Sequence, residues 1–183
     1  WLQVATEVAN EARFVHYDLI FADILKARGG FDLIVGNPPW EKPSWNEGQV
    51  LADINPIYAG LSASDAKKVM KEALLRSKAT DGFLKQYSST KGTMKITSSD
   101  VMNPFVGSGQ NNLYACFIDL SFRLVRKDGA LALIHQDGHL KEIANQLRPH
   151  WYKRIVKHFE FANKMRSKNF SEILDTVRFS LNI

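Results

Sequence analysis

An asparagine, two prolines and a tryptophan follow a short apolar run in FDLIVGNPPW, residues 31–40. The prolines fix two φ angles and withhold two N–H donors. Each also pushes the residue before it into an extended conformation. The result is a stiff corner whose carbonyls no helix absorbs. Asn37 offers a side-chain oxygen acceptor, with the Pro38 carbonyl beside it. Two acceptors held a few ångströms apart suit an NH2 group, which has two hydrogens to give. Trp40 adds a flat face on which a planar ring stacks. The combination fits an exocyclic amine on a flat heterocycle. Such an amine is a poor nucleophile, because its lone pair is delocalised into the ring. Acceptors pulling on both hydrogens favour a pyramidal nitrogen with its lone pair aimed outward. Transfer of an electrophilic methyl then becomes a matter of positioning and electrostatics. A bland reading also exists, a strand that ends in a proline-rich turn; Asn-Pro alone is a common turn, and the longer string carries the specificity.

The elements that must hold this corner follow from patterning. Residues 1–12 read as a short helix, 14–25 (FVHYDLIFADIL) as a strand and its exit, and Arg28-Gly29-Gly30 as a turn. FDLIV (31–35) is a continuous apolar run, as expected for a strand buried on both faces of a parallel sheet. Residues 41–62 look irregular, and Ser62 or Ser64 is placed to cap a helix starting near Asp65, with Val69, Met70, Ala73 and Leu74 on one side. Residues 88–112 are rich in Ser, Thr, Gly and Asn and read as a loop. LYACFIDLSFRLV is a helix ended by Lys127-Asp128-Gly129, and ALALIH (130–135) is a second buried strand. Residues 139–152 read as helical, with strands at RIVKHFEF (154–161) and VRFSLNI (177–183). Strands alternating with helices imply a parallel α/β sheet, whose ligands bind beyond the carboxyl ends of the strands. Asn37 sits at such an end.

The bulk numbers bound the rest. The chain has 183 residues, 45% hydrophobic and 23% charged, the balance of one globular domain. It begins at Trp1, which suggests part of a longer polypeptide. No run approaches the roughly 20 apolar residues of a membrane span. Cys116 is the sole cysteine, which leaves no disulfide framework and no cysteine-based zinc site, and no metal is expected. The net charge of +5 is concentrated. Residues 63–95 carry eight Lys/Arg against three acids and residues 141–168 eight against two, hence +5 and +6. Such zones are compatible with a polyanion partner, or with a solvated lysine-rich surface.

FDLIVGNPPW resembles the catalytic motif of S-adenosylmethionine-dependent amino-methyltransferases, above all the N6-adenine DNA methyltransferases of large restriction-modification and phage-defence systems. NNLYACFIDLSFRLVRKDGALALIH and the stretch from Asp137 to Ile183 are similar to the same family, so the resemblance covers residues 13–40 and 111–183. It implies a Rossmann-like class I methyltransferase sheet in 1–40 and 111–183, with 41–110 as a basic helical and loop insertion. Residue by residue, it implies that Asn37, Pro38 and Pro39 hold the adenine amine and that Trp40 stacks on the flipped base. Phe170 would close the pocket from the other side, unless it is an ordinary core phenylalanine. Asp23 would contact the adenine moiety of the cofactor, unless it is a solvated turn residue. His135 and Gln136 depart from the family's Pro-containing strand end. Lys67, Lys68 and Lys71, with Lys164, Arg166 and Lys168, would touch the phosphates of double-stranded DNA. The cofactor would be S-adenosylmethionine and the setting a bacterial or archaeal cytoplasm, without a membrane.

One feature competes. NPFVGSG (103–109) resembles the Gly-rich cofactor loop of permuted methyltransferases. The residues before it, KGTMKITSSDVM, are too polar for the buried strand such a loop requires, and the next strand ends in His135 rather than an acid. The stretch therefore reads as a decoy. The cofactor loop and the first strands of the sheet are expected on sequence upstream, which would leave this chain an incomplete sheet completed by the rest of the parent polypeptide. Two other functions remain open. A glutamine-N5 protein methyltransferase or an RNA amino-methyltransferase would share the amine chemistry, and a non-catalytic module would only bind DNA.

Overall fold

The computed structural model describes residues 1–13, 15–77, 80–108, 112–137, 146–163 and 176–183. A four-stranded sheet organises it, in the order β1 (Phe31–Gly36), β2 (Val125–Gln136), β4 (Arg178–Asn182), β3 (His158–Ala162). Only β1 and β2 are parallel; β4 runs antiparallel to both of its neighbours. The all-parallel sheet expected from the alternation of elements is thus corrected at its far side. HFEFA is an edge strand exposed at four of its five residues, which an antiparallel sheet tolerates and a parallel sheet covered on both faces does not.

β1 is not buried on both faces as its apolar run implied. Leu33 is 58% and Val35 69% exposed, and among the described residues β1 pairs with β2 alone. Its entry is tight. Gly30 has φ 141°, and a Cβ there would lie 2.5 Å from the Leu124 carbonyl, so the turn onto β1 needs glycine. Along β2 the register jumps from Phe31↔Val125 to Leu33↔Ala130. Arg126-Lys127-Asp128-Gly129 therefore bulges inside the strand and does not end the preceding helix. Arg126 returns to β1 through Asp32, at 3.1 Å.

The helices divide between two cores. α7 (Leu113–Leu124) and α8 (Leu147–Tyr152) cover the sheet, with Tyr114, Ile118, Leu133, Leu147 and Trp151 buried together. α4 (Glu47–Ile54), α5 (Ala63–Ser77) and α6 (Thr80–Thr97) form the second cluster around Leu51, Leu74 and Phe83, braced by Trp45. Ser62 caps α5 as its side chain predicts, accepting from the Asp65 N–H at 3.2 Å. Two loop expectations are overturned, because α4 occupies part of 41–62 and α6 runs through Thr97. In α6 the small polar residues bond back to their own helix, as Thr93 does to the Ser89 carbonyl at 3.1 Å, so polarity did not break it.

The N-terminal part holds α1 (Leu2–Ala12), α2 (Tyr17–Ile20) and α3 (Ala22–Arg28). The expected strand at 14–25 is not formed over its described residues. No strand lies alongside, and i→i+4 bonds such as Phe21 N–H to the Tyr17 carbonyl at 2.9 Å satisfy the backbone locally. Among the described residues no helix is long and apolar enough to cross a membrane.

Candidate functional site

The corner after β1 lies at the carboxyl end of that strand. Residues 37–46 take no regular secondary structure, and Pro38 is buried while Asn37 and Pro39 are exposed. Among the described residues no peptide bond is cis, and the proline pair turns the chain through its fixed φ angles. Among the described residues the Asn37 side chain has no hydrogen-bond partner.

Trp40 is anchored instead. Its indole N–H donates to the Ile134 carbonyl at 3.3 Å, and its ring packs on Phe179 at 5.7 Å between centroids, tilted by 32°. The contact continues through Phe179 to Phe161, stacked at 5.3 Å. Trp40 is therefore half-buried against β2 and β4 rather than standing free, a stiffer platform than the sequence implied. Asn37, Pro38 and Pro39 also line a depression of about 440 Å³ bounded by Tyr17 and Phe21 below and by Phe117 and Leu120 of α7. Asp23, in the first turn of α3, is exposed two residues from Phe21 of that wall and has no partner among the described residues. Phe170, Lys164, Arg166 and Lys168 lie outside the described residues. Lys67, Lys68 and Lys71 are exposed on α5, and Lys68 pairs with Asp65 at 3.1 Å.

Behind β2 stands a buried polar cluster that sequence reading missed. His135 is wholly buried, stacked on Tyr114 at 5.0 Å with planes 4° apart. Its Nδ1 lies 2.8 Å from the Gln136 carbonyl and its Nε2 2.9 Å from Asn182 Nδ2. This pairing fixes the neutral tautomer, in which Nδ1–H donates and Nε2 accepts. Burial pushes the His135 pKa down to about 4 and the Tyr114 pKa up to about 12. Asn182 also donates to Ser180 Oγ at 2.8 Å and accepts from His158 Nδ1 at 2.6 Å. Asp137, next along the chain, is 7% exposed, and burial raises its pKa. The signal was the two-residue spacing of polar residues, His135 on β2 with Asp137 just past its end, and Ser180 and Asn182 on β4.

Residues 3–169 match the family model for the Eco57I restriction-modification methylase. The chain belongs to the Eco57I restriction-modification methylase family. No curated protein and no solved structure matches it. As an Eco57I-family methylase it is a DNA methyltransferase of the restriction-modification kind.

The methyl donor's site is a separate matter. In the NPFVGSG stretch the backbone amides of Asn103, Phe105, Val106 and Gly107 are spent inside the fold. Phe105 N–H and Val106 N–H both donate to Asp119 Oδ2, at 2.7 and 3.2 Å. Asp119 is itself wholly buried and paired with Arg123 at 3.0 Å. Helix α6, not a strand, precedes the stretch. These residues brace α7 and do not fit a sulfonium cofactor. The described parts of this Eco57I-family chain offer no open Gly-rich cradle.

Proposed function

We propose that this chain carries the base-holding part of an S-adenosylmethionine-dependent DNA methyltransferase that modifies the N6 amine of adenine in double-stranded DNA. The observation that carries the reading is Asn37, exposed and unengaged at the carboxyl end of β1, beside an indole held rigid by Ile134 and Phe179. Asn37 Oδ1 and the Pro38 carbonyl accept the two amine hydrogens, and Trp40 supports the base flipped out of the duplex. The β1–β2 parallel pair supports reading the sheet as part of a Rossmann-like methyltransferase fold. Residues 41–110 form the helical insertion, and its lysines 67, 68 and 71 meet DNA phosphates.

The test uses the full-length protein with duplex DNA and labelled S-adenosylmethionine. Label on N6-methyladenine, reduced about 10²-fold in Asn37→Ala, supports the reading; removing one preorganised polar group from a reacting centre has that scale of effect. Label on glutamine or on RNA instead would overturn the substrate. Substituting Lys67 and Lys71 together by alanine should weaken DNA binding alike for all sequences and flatten the salt dependence by about one unit of slope per lysine. An unchanged slope would remove α5 from the interface.

A further inference from the structure

A depression of about 480 Å³ opens where β2 begins, between the last turn of α7 and the chain that leaves α8. It lies at the other end of the sheet from the base-holding corner. Val125 at its rim is level with Phe31, whereas Asn37 follows Gly36, the last residue of β1. Five residues of strand, about 17 Å, separate the two levels.

Its walls are apolar, with Phe122, Leu131 and Trp151 among them. Three of the lining side chains are cations, Arg126, Lys127 and Arg154, and no lining residue is an acid. The sequence builds half of this from the bulge between Val125 and Ala130, which carries Arg126 and Lys127. Gly129 lets that bulge fold tightly on β1, since a Cβ there would lie 2.7 Å from the Phe31 carbonyl oxygen. Arg154 arrives from the other side, after α8. Its guanidinium lies 4.8 Å over the Phe122 ring, and its Nη1 donates to the His150 carbonyl at 2.8 Å. A guanidinium held on a ring in this way keeps further N–H groups for a ligand.

The charge is poorly compensated. Among the described residues neither Lys127 nor Arg154 has an ion pair. Arg126 meets Asp32 at 3.1 Å, but Asp32 also pairs with Arg28 at 3.2 Å, so one carboxylate serves two guanidiniums. Cations gathered round an apolar hollow repel one another and gain from an anion placed among them.

We propose that this depression binds a small aromatic anion, its ring against the apolar walls and its charged group toward Arg126, Lys127 and Arg154. The volume and the mix of apolar walls with a few polar groups are those of a small-molecule site. A DNA backbone would answer the charge but leave the apolar walls unfilled. The site is separate from Asn37 and does not depend on which amine is methylated.

The experiment is titration calorimetry of the full-length protein with 2-naphthoate and with 2-naphthamide, the same ring without the charge. Naphthoate should bind with a Kd of about 10⁻⁴ M or tighter, and naphthamide about tenfold more weakly. Lys127→Gln combined with Arg154→Gln should bring naphthoate down to the level of the amide, while Asn37→Ala should leave it unchanged. Ala130→Glu puts a negative charge at an exposed position of the lining without removing any packing. It should weaken naphthoate and spare naphthamide, and it decides the matter if the double variant does not fold. No naphthoate binding at about 1 mM, equal affinity for the two probes, or naphthoate affinity kept in Ala130→Glu or in the folded double variant overturns the proposal.

Discussion

His135 sets the pH behaviour of the fold. An unfolded histidine takes up its proton near 6.5, whereas the buried ring resists until about pH 4. Folding is therefore most favoured above pH 6.5, and its stability falls as pH drops toward 4. The gap is worth about 3 kcal/mol. Asp137 acts in the opposite sense: its raised pKa gives stability that is present below the normal carboxylate range and lost as pH rises. Urea midpoints measured across this range should fall on the acid side, and Asp137→Asn should raise the midpoint at neutral pH. A flat profile would mean that His135 reaches water. At this scale the sequence was uneven. Asn37, Pro38, Pro39 and Trp40 are adjacent, so their chemistry could be read directly. His135 and Asn182 stand 47 positions apart and meet only because Leu133 pairs with Asn182 across the sheet.

Asp119 is the equivalent pin at the level of elements. One wholly buried carboxylate holds two loop amides and Arg123, whose guanidinium also donates to the Met102 carbonyl at 2.9 Å. Asp119→Ala should cost about 3 kcal/mol and lower the thermal midpoint, because it orphans two amides and an arginine at once. Asp119→Asn should recover part of that loss, since an amide oxygen still accepts; equal losses in both variants would deny the network its role. The helices with apolar faces, α5 and α7, were legible, α5 with its Ser62 cap; the Asn112 cap of α7, which accepts from the Tyr114 N–H, was not read. α6 was not. It buries Phe83 near one end and Thr97 at the other, so eighteen residues are held by their ends with little periodic signal between. The 14–25 segment misled for a different reason: β-branched and aromatic residues favour a strand only when another strand lies beside them.

Across the whole molecule, the two buried clusters share no residue. Phe83→Ala should therefore loosen 47–97 alone, by about 3–5 kcal/mol locally. Hydrogen exchange should quicken in α4, α5 and α6 while β2 and α7 keep their protection. Faster exchange in the sheet as well would make the clusters one cooperative unit. The boundary at Trp40 was legible in the prolines that stop the strand. That the polar run after residue 88 continues as ordered helix was not, because helix content there depends on packing at Phe83 and Thr97.

Where the chain leaves the sheet and where it comes back are neighbours: the Glu41 carbonyl accepts from the Leu113 N–H at 2.8 Å. A loop whose two roots already touch is tolerant of change between them, because the entropy of closing it grows only slowly with its length. The stretch between the roots therefore works as a cassette: it can be lengthened or trimmed at small cost in closure entropy while Asn37 and Trp40, on the near side of the join, stay where they are.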